Sequence, residues 1–153
     1  MNPLIEYTFS DELPRTADRR LVLNSTEIHI HPTGGAGDCA MFGMQGPLQA
    51  EVRWDEDAVS AAVRPLSRGI VPQIDGRIIR FTIPEPGPLS LEVNGNTAGP
   101  LFLFADPPEE DPPDKHDKNV IRIERGSVHE ADEIRLTSGR TLYLEPGAVV
   151  AGT

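Results

Sequence analysis

Hydrophobic and polar residues alternate in short runs along most of this chain, which is the period of a β-strand with one face on a core. The clearest run places Ala50, Val52 and Trp54 on one face and Glu51 and Arg53 on the other. Similar alternation, or a short apolar run, predicts further strands over residues 4–9, 21–30, 58–66, 69–74, 77–83 and 89–93. Many short strands of this kind predict an all-β fold.

One further run differs because it is apolar at every position. Residues 101–105 have the sequence Leu-Phe-Leu-Phe-Ala, which is typical of a strand covered on both faces, so we expect this strand to be central in its sheet. Turn signals separate the strands, and Asp75-Gly76 is a dipeptide favoured in tight hairpins. The 15 prolines and 14 glycines are spread along the chain, as expected for strands joined by turns.

The character of the sequence changes after residue 106. Residues 107–118 carry four prolines among acidic side chains, and we interpret them as a solvated linker because they can bury little apolar surface. Short β runs follow at residues 120–123, 134–136, 141–144 and 148–151, a spacing typical of a solenoid coil. The predicted organisation is an antiparallel β-sandwich in residues 1–106, this linker, and one solenoid coil in residues 119–153.

Composition narrows the possible partners. The formal net charge of −10 argues against nucleic acid and anionic membranes, because binding to these depends on basic side chains. The one cysteine, Cys39, cannot close an internal disulfide, and we interpret it as a small buried residue. No run of eighteen apolar residues occurs, and residues 1–9 lack the pattern of an export signal. No sequence pattern indicates a cofactor.

Two parts of the chain resemble a known family. Residues 89–95 (Leu-Ser-Leu-Glu-Val-Asn-Gly) and 101–109 resemble the end of the N-terminal β-sandwich of polygalacturonase- and dextranase-like glycoside hydrolases. Residues 138–150 (Ser-Gly-Arg-Thr-Leu-Tyr-Leu-Glu-Pro-Gly-Ala-Val-Val) are similar to the first coil of the right-handed parallel β-helix of these enzymes, which have the pectin lyase-like fold. The resemblance can be followed in detail over residues 70–153, whereas the first third of the chain matches only in its general β character.

The resemblance implies that the sandwich packs against the N-terminal end of the β-helix and that hydrolysis takes place on strands many coils later. Those coils are absent from this sequence, and a solenoid needs about three repeats for stability. We therefore expect a non-catalytic accessory domain that caps and orients the β-helix of a polysaccharide hydrolase, with this downstream catalytic domain as its partner. Parent enzymes of this kind often act outside the cytoplasm, in the extracellular space or the periplasm.

Three alternatives stay open from the sequence. One is a stand-alone carbohydrate-binding module for a polysaccharide, another is a self-associating β module, and the third is a complete small hydrolase that uses the acidic clusters. If the chain stops at Thr153, the last coil presents an unpaired β edge, and a homo-oligomer formed through this edge is then expected.

Carbohydrate binding would use exposed aromatic rings, because the apolar face of a sugar stacks on a flat ring. The candidate residues are Trp54, Tyr7 and Tyr143. Trp54 shares its alternation face with Ala50 and Val52, which favours packing in the core over stacking on a ligand.

Other polar residues have simpler interpretations than catalysis or metal binding. His29 and His31 lie two apart on a predicted strand and would face the same side, but their spacing to Cys39 or His116 matches no recognisable ligand set. For His129 the resemblance implies a structural role. The acidic clusters at residues 55–57, 109–111 and 130–133 fall in turns or the linker and are interpreted as solvated. We assign no catalytic and no metal-binding residue.

Overall fold

The computed structural model describes residues 2–152. Within them it contains strands, turns and one 3-10 turn at Leu66–Arg68, but no α-helix, so the predicted all-β class is confirmed. No helix in this part of the chain is long and apolar enough to cross a membrane. The chain divides into two compact units, which we call the sandwich unit (Met1–Glu6 with Pro14–Pro108) and the coil unit (Tyr7–Leu13 with Glu109–Thr153).

The sandwich unit is built from eleven strands in its described part. They are β1 (Leu4–Ile5), β2 (Arg20–Leu23), β3 (Thr26–Ile28), β4 (His31–Pro32), β5 (Asp38–Met44), β6 (Leu48–Arg53), β7 (Ala61–Arg64), β8 (Gln73–Asp75), β9 (Ile78–Ile83), β10 (Gly87–Val93) and β11 (Leu101–Asp106). One sheet has the order β1-β5-β11-β10-β7, with β4 paired to β5, and the other has the order β3-β2-β6-β9-β8.

The two sheets enclose one hydrophobic core. Alternate residues of each strand point inward, and the inward side chains of both sheets form a single cluster. Fully covered members include Phe42, Leu91 and Leu103 from the first sheet and Leu21, Val52 and Ile79 from the second. Burial of a side chain of this size stabilises a fold by roughly 1.5–3 kcal/mol relative to leaving it in water.

The first sheet is mixed rather than wholly antiparallel, because β5 and β11 run parallel. The sequence pattern does not predict β5, which follows the glycine-rich stretch at residues 34–37. The start of β5 depends on Gly37. This residue has a φ of 85°, and a Cβ atom there would overlap the backbone of Pro100. This close approach allows the N–H of Asp38 to donate to the carbonyl of Pro100 at 3.0 Å, which starts the parallel ladder.

The predicted central position of residues 101–105 is confirmed, because β11 is the middle strand of the first sheet. The prediction that this strand is covered on both faces is wrong. Phe104 is 40% exposed. Its ring stacks on that of Phe102 on the side of the sheet that faces away from the sandwich core, with the ring centroids 6.4 Å apart. The predicted hairpin at Asp75-Gly76 is confirmed, because it joins the antiparallel strands β8 and β9.

The coil unit contains two parallel strand pairs. Strand β12 (Val120–Ile123) pairs with β14 (Thr141–Leu144), and β13 (Val128–Glu130) pairs with β15 (Val149–Ala151). In both pairs the partners lie 21 positions apart, from 120 to 141 and from 128 to 149. This constant offset means that the chain completes one turn of a parallel coil in 21 residues.

One predicted coil strand is wrong. Residues 134–136 form no strand in the described chain, and Leu136 is half exposed. Strand β13 forms instead at Val128–Glu130, because these residues stand in register with β15. The apolar spacing of residues 134–136 resembles a strand, but a strand also needs a ladder partner.

Candidate functional site

The strands of the coil unit present two different faces. The register places Arg122 beside Tyr143 and Ile123 beside Leu144. Neighbouring residues of a strand point to opposite sides, so Arg122 and Tyr143 share one face, which we call the outer face. Ile123 and Leu144 share the opposite, inner face.

A network of charged groups covers the outer face. One guanidinium nitrogen of Arg122, Nη1, donates to Oε1 of Glu145 at 2.9 Å, and Nη2 donates to the carbonyl of Pro113 at 2.6 Å. The second carboxylate oxygen of Glu145 accepts from the backbone N–H of Arg125 at 3.1 Å and from its Nε at 3.3 Å. The backbone N–H of Arg125 lowers the pKa of Glu145 most strongly, and both guanidinium groups add to this effect. Glu145 is therefore held as a carboxylate.

Tyr143 lies within the same network. The Cζ atom of Arg122 is 4.7 Å from the centroid of the Tyr143 ring, which is a cation–π contact. The hydroxyl of Tyr143 donates to Oε2 of Glu109 at 2.6 Å. Burial, followed by the hydrogen bond to Glu109, raises the pKa of Tyr143. The phenol therefore keeps its proton and remains a hydrogen-bond donor.

An open cleft of about 420 Å³ lies over these side chains. We call it the tyrosine cleft, and its lining includes Glu109, Pro113, Arg122, Arg125, Tyr143 and Glu145. The cleft is lined in part by the segment 107–118, which the sequence predicts to be a solvated linker. Two hydrogen bonds hold this segment, one from the hydroxyl of Tyr143 to Glu109 and one from Arg122 to the carbonyl of Pro113. These bonds fix the polar groups of the cleft relative to β12 and β14.

The other two candidate aromatic residues lie elsewhere. The ring of Trp54 is part of the sandwich core and only 3% exposed. The guanidinium of Arg19 covers it, with Cζ 3.6 Å from the ring centroid. Arg19 is itself held by Asp55 at 3.0 Å and Asp38 at 3.2 Å. Trp54 therefore offers no ring face to a ligand in this conformation. Tyr7 is half-buried in the coil unit and is not among the lining residues of the tyrosine cleft.

The two histidines of the N-terminal third differ in environment, which corrects the expectation that they face the same side. His29 is exposed, whereas His31 is buried and its Nδ1 lies 2.8 Å from the carbonyl of Pro14. A carbonyl only accepts, so Nδ1 of His31 carries the proton. Cys39 stands opposite His31 in the β4–β5 ladder, and burial raises the pKa of its thiol. Over residues 2–152 there is no group of three His, Cys, Asp or Glu side chains that could hold a metal ion.

The acidic clusters contribute to local ion pairs. Asp57 pairs with Arg77 at 3.3 Å and Glu133 with Arg135 at 2.9 Å, while Asp55 and Glu109 have the partners described above. His129 is exposed on β13.

The inner face of the coil is covered at one strand and open at the next. Ile123 is 4% exposed, while Leu144, its neighbour in register, is 41% exposed. Because the two residues occupy equivalent positions in successive turns of the coil, the difference reflects what lies beside each strand and not the residue type.

The sequence carries a signal for this site that the strand pattern alone does not reveal. Glu124-Arg125-Gly126 and Glu145-Pro146-Gly147 lie 21 positions apart and share the pattern Glu-x-Gly. Alignment at this offset places Arg122 beside Tyr143, as the ladder does. A search for short internal repeats would therefore have predicted both the coil length and the pairing on the outer face.

No protein-family model and no curated protein matches this chain. Among solved structures, Dex49A from Penicillium minioluteum is similar, with a TM-score of 0.65 and 13% sequence identity. The match covers 97% of this chain and 45% of that chain, so the present chain spans less than half the length of this neighbour. At this identity the likeness shows the fold alone, an all-β fold related to that of this neighbour.

Proposed function

We propose that this chain is a non-catalytic accessory domain that caps and orients the β-helix of a polysaccharide hydrolase. The observation that carries the proposal is the uncovered inner face of the coil. Leu144 is 41% exposed although Ile123, one turn earlier, is 4% exposed. Solenoid repeats bury their inner residues against the next repeat, and another turn stacked on β14 would cover Leu144.

The fold comparison supports a β-helix as the occupant of this face. Residues 138–150 resemble the first coil of the β-helix of polygalacturonase- and dextranase-like enzymes, and almost the whole of the present chain corresponds to only 45% of the Dex49A chain. Further coils of a parallel β-helix would therefore cover Leu144. A second copy of the chain on the same face is the alternative that the experiment below distinguishes.

The carboxylates of the outer face support a non-catalytic role. Glycoside hydrolysis needs one carboxylic acid that keeps its proton near neutral pH, opposite a carboxylate. Glu145 is instead held ionised by Arg125 and Arg122, which lower its pKa. Glu109 accepts the hydroxyl of Tyr143. Both carboxylates thus serve as fixed acceptors, which is a structural use.

The first experiment is to read the gene beyond the codon for Thr153 and to express the chain with whatever coding sequence follows. We expect further short β runs with a repeat near the 21 residues observed here. We then introduce Leu144→Asp into both the 153-residue chain and the longer product and measure unfolding by urea. The substitution should destabilise the longer product strongly, since it buries a charge. It should have little effect in the shorter chain, where Leu144 is already exposed.

The matched control is Ile123, which lies on the same inner face and is already buried in the described structure. Ile123→Asp should therefore destabilise both products. An equal effect of Leu144→Asp in the two products would overturn the proposal, as would a stop codon directly after Thr153. Dimers of the short chain in sedimentation, lost on Leu144→Asp, would identify a second copy as the occupant and would also overturn it.

A further inference from the structure

The tyrosine cleft has the composition of a site for a neutral, hydroxyl-rich ligand. Pro113 and the part of the Tyr143 ring that Arg122 does not cover supply apolar surface, and Glu109 and Arg125 supply a carboxylate and a guanidinium beside it. A sugar presents both kinds of surface, because its ring face is apolar and its rim carries hydroxyl groups. Sites that bind such ligands combine apolar side chains with a few fixed polar groups.

The polar groups of the cleft are held in position without a ligand. Arg122 is fixed by Glu145 and by the carbonyl of Pro113, and the hydroxyl of Tyr143 is fixed by Glu109. Groups that are already ordered lose little entropy when a ligand binds. The cleft is therefore organised for recognition and does not need to assemble around its ligand.

Hydrogen-bonding capacity remains at the cleft opening. A carboxylate has about four lone-pair positions, so Glu109 can accept from a ligand hydroxyl while it holds Tyr143. The guanidinium of Arg125 has five N–H donors, and its side chain is 64% exposed. Glu109 would accept a hydrogen bond from one hydroxyl of a sugar ring, and Arg125 would donate to a neighbouring hydroxyl.

The charges of the cleft favour a neutral glycan over an acidic one. Three carboxylates in the lining (Glu109, Asp114, Glu145) are balanced by three basic side chains (Lys115, Arg122, Arg125). Arg122 and Arg125 are already paired with Glu145. The whole chain carries a net charge of −10, which repels a polyanion such as a polymer of uronic acids.

We propose that the tyrosine cleft binds a short segment of a neutral glycan. Its volume of about 420 Å³ lies within the range of about 300–1,000 Å³ that is usual for small-ligand sites. The site lies on the outer face of the coil, whereas the capping role uses the inner face. Either proposal can therefore fail without the other.

The test is a titration of the 15N-labelled chain with three trisaccharides, followed by amide chemical shifts. Isomaltotriose and cellotriose are the neutral probes, and trigalacturonate is the acidic counterpart. We expect saturable shifts with at least one neutral probe, centred on the amides of Arg122, Arg125, Tyr143 and Glu145. Tighter binding of trigalacturonate would overturn the proposal, as would shifts centred on any other surface or no saturable shift with all three probes.

Two tyrosine variants provide a matched comparison. Tyr143→Phe keeps the ring but loses the hydroxyl that Glu109 holds, and we expect the Kd to rise roughly threefold to tenfold. Tyr7→Phe makes the same chemical change outside the cleft lining and should leave the Kd unchanged. Tyr143→Ala should abolish saturable binding while the amide shifts of β13 and β15 stay in place, which verifies that the coil unit of the variant folds. Equal affinities of Tyr143→Phe and Tyr7→Phe would contradict the assignment.

Discussion

At the scale of single residues, Arg19 explains why Trp54, a ring type that often stacks on sugars, is part of the sandwich core. Its guanidinium lies over the ring of Trp54 and bonds to Asp38, Asp55 and the carbonyl of Gly99 at 3.0–3.2 Å. The side chain is 13% exposed, so its charge depends on these partners for compensation. A planar group with several donors is required to meet all of them at once.

We therefore expect Arg19→Lys to lower the free energy of unfolding by roughly 1–3 kcal/mol, because a lysine cannot reproduce the fork of hydrogen bonds or the stacking. Urea denaturation followed by the fluorescence of Trp54, the one tryptophan of the chain, measures this directly. Arg20→Lys is the matched control, because Arg20 pairs with Glu27 on the exposed side of β2. Arg20→Lys should change stability little. If both variants unfold at the same urea concentration as the unchanged chain, Arg19 does not contribute to stability as described.

At the scale of strands, the sequence predicts strands whose buried face is set by their own residues. It misses strands whose formation depends on a partner that is distant in sequence. The alternation at residues 49–54 predicts β6 because its own side chains determine which face is buried. The pattern does not predict strand β5, because the start of this strand depends on the close approach of Gly37 to Pro100, two residues that are far apart in sequence. The false strand at residues 134–136 has the opposite cause, since its spacing is correct but no partner strand meets it in the described chain.

The same distinction applies to the candidate site. Tyr143 could be named from the sequence because aromatic residues are few. The strand pattern does not reveal its partners, because the pairing with Arg122 appears only when the 21-residue repeat is aligned and the bond to Glu109 joins residues 34 positions apart. The residue type was predictable, whereas the cleft required the fold.

Two glycines of the coil unit allow the close approach of the chain to be tested. Gly147 has a φ of 95°, and a Cβ atom there would overlap the backbone of Thr8 in the N-terminal part of the same unit. Gly139 has a φ of 82°, but a Cβ atom there would meet nothing within 4 Å. Alanine at Gly139 should therefore cost only the left-handed backbone strain, about 1–2 kcal/mol.

Gly147→Ala should cost clearly more than Gly139→Ala, because it adds a clash with Thr8 to the same backbone strain. Urea unfolding monitored by the amide signals of β12–β15 compares the two variants. Equal losses in the two would mean that residues 7–13 do not pack against the turn at Gly147, and the assignment of this segment to the coil unit would need revision.

At the scale of the whole molecule, the two units differ sharply in how much apolar surface they bury. Of the 23 buried hydrophobic residues in the described chain, 22 form the sandwich core and one, Ile123, belongs to the coil unit. The coil unit relies more on polar contacts, such as the pairs that Glu145 makes with Arg122 and Arg125. Since hydrophobic burial is the dominant favourable term in folding, the sandwich should be much the more stable unit.

Hydrogen exchange of the backbone amides tests this difference. In the 153-residue chain we expect the amides of β12–β15 to exchange through local opening, with protection well below that of the central sandwich strands β5, β6, β9 and β11. Addition of further coils should raise protection in β14 and β15 most, because they border the uncovered inner residue Leu144. Protection in the sandwich core should change little. Equal protection of the two units in the short chain would show that the coil is already complete, and it would remove the physical reason for a capped β-helix.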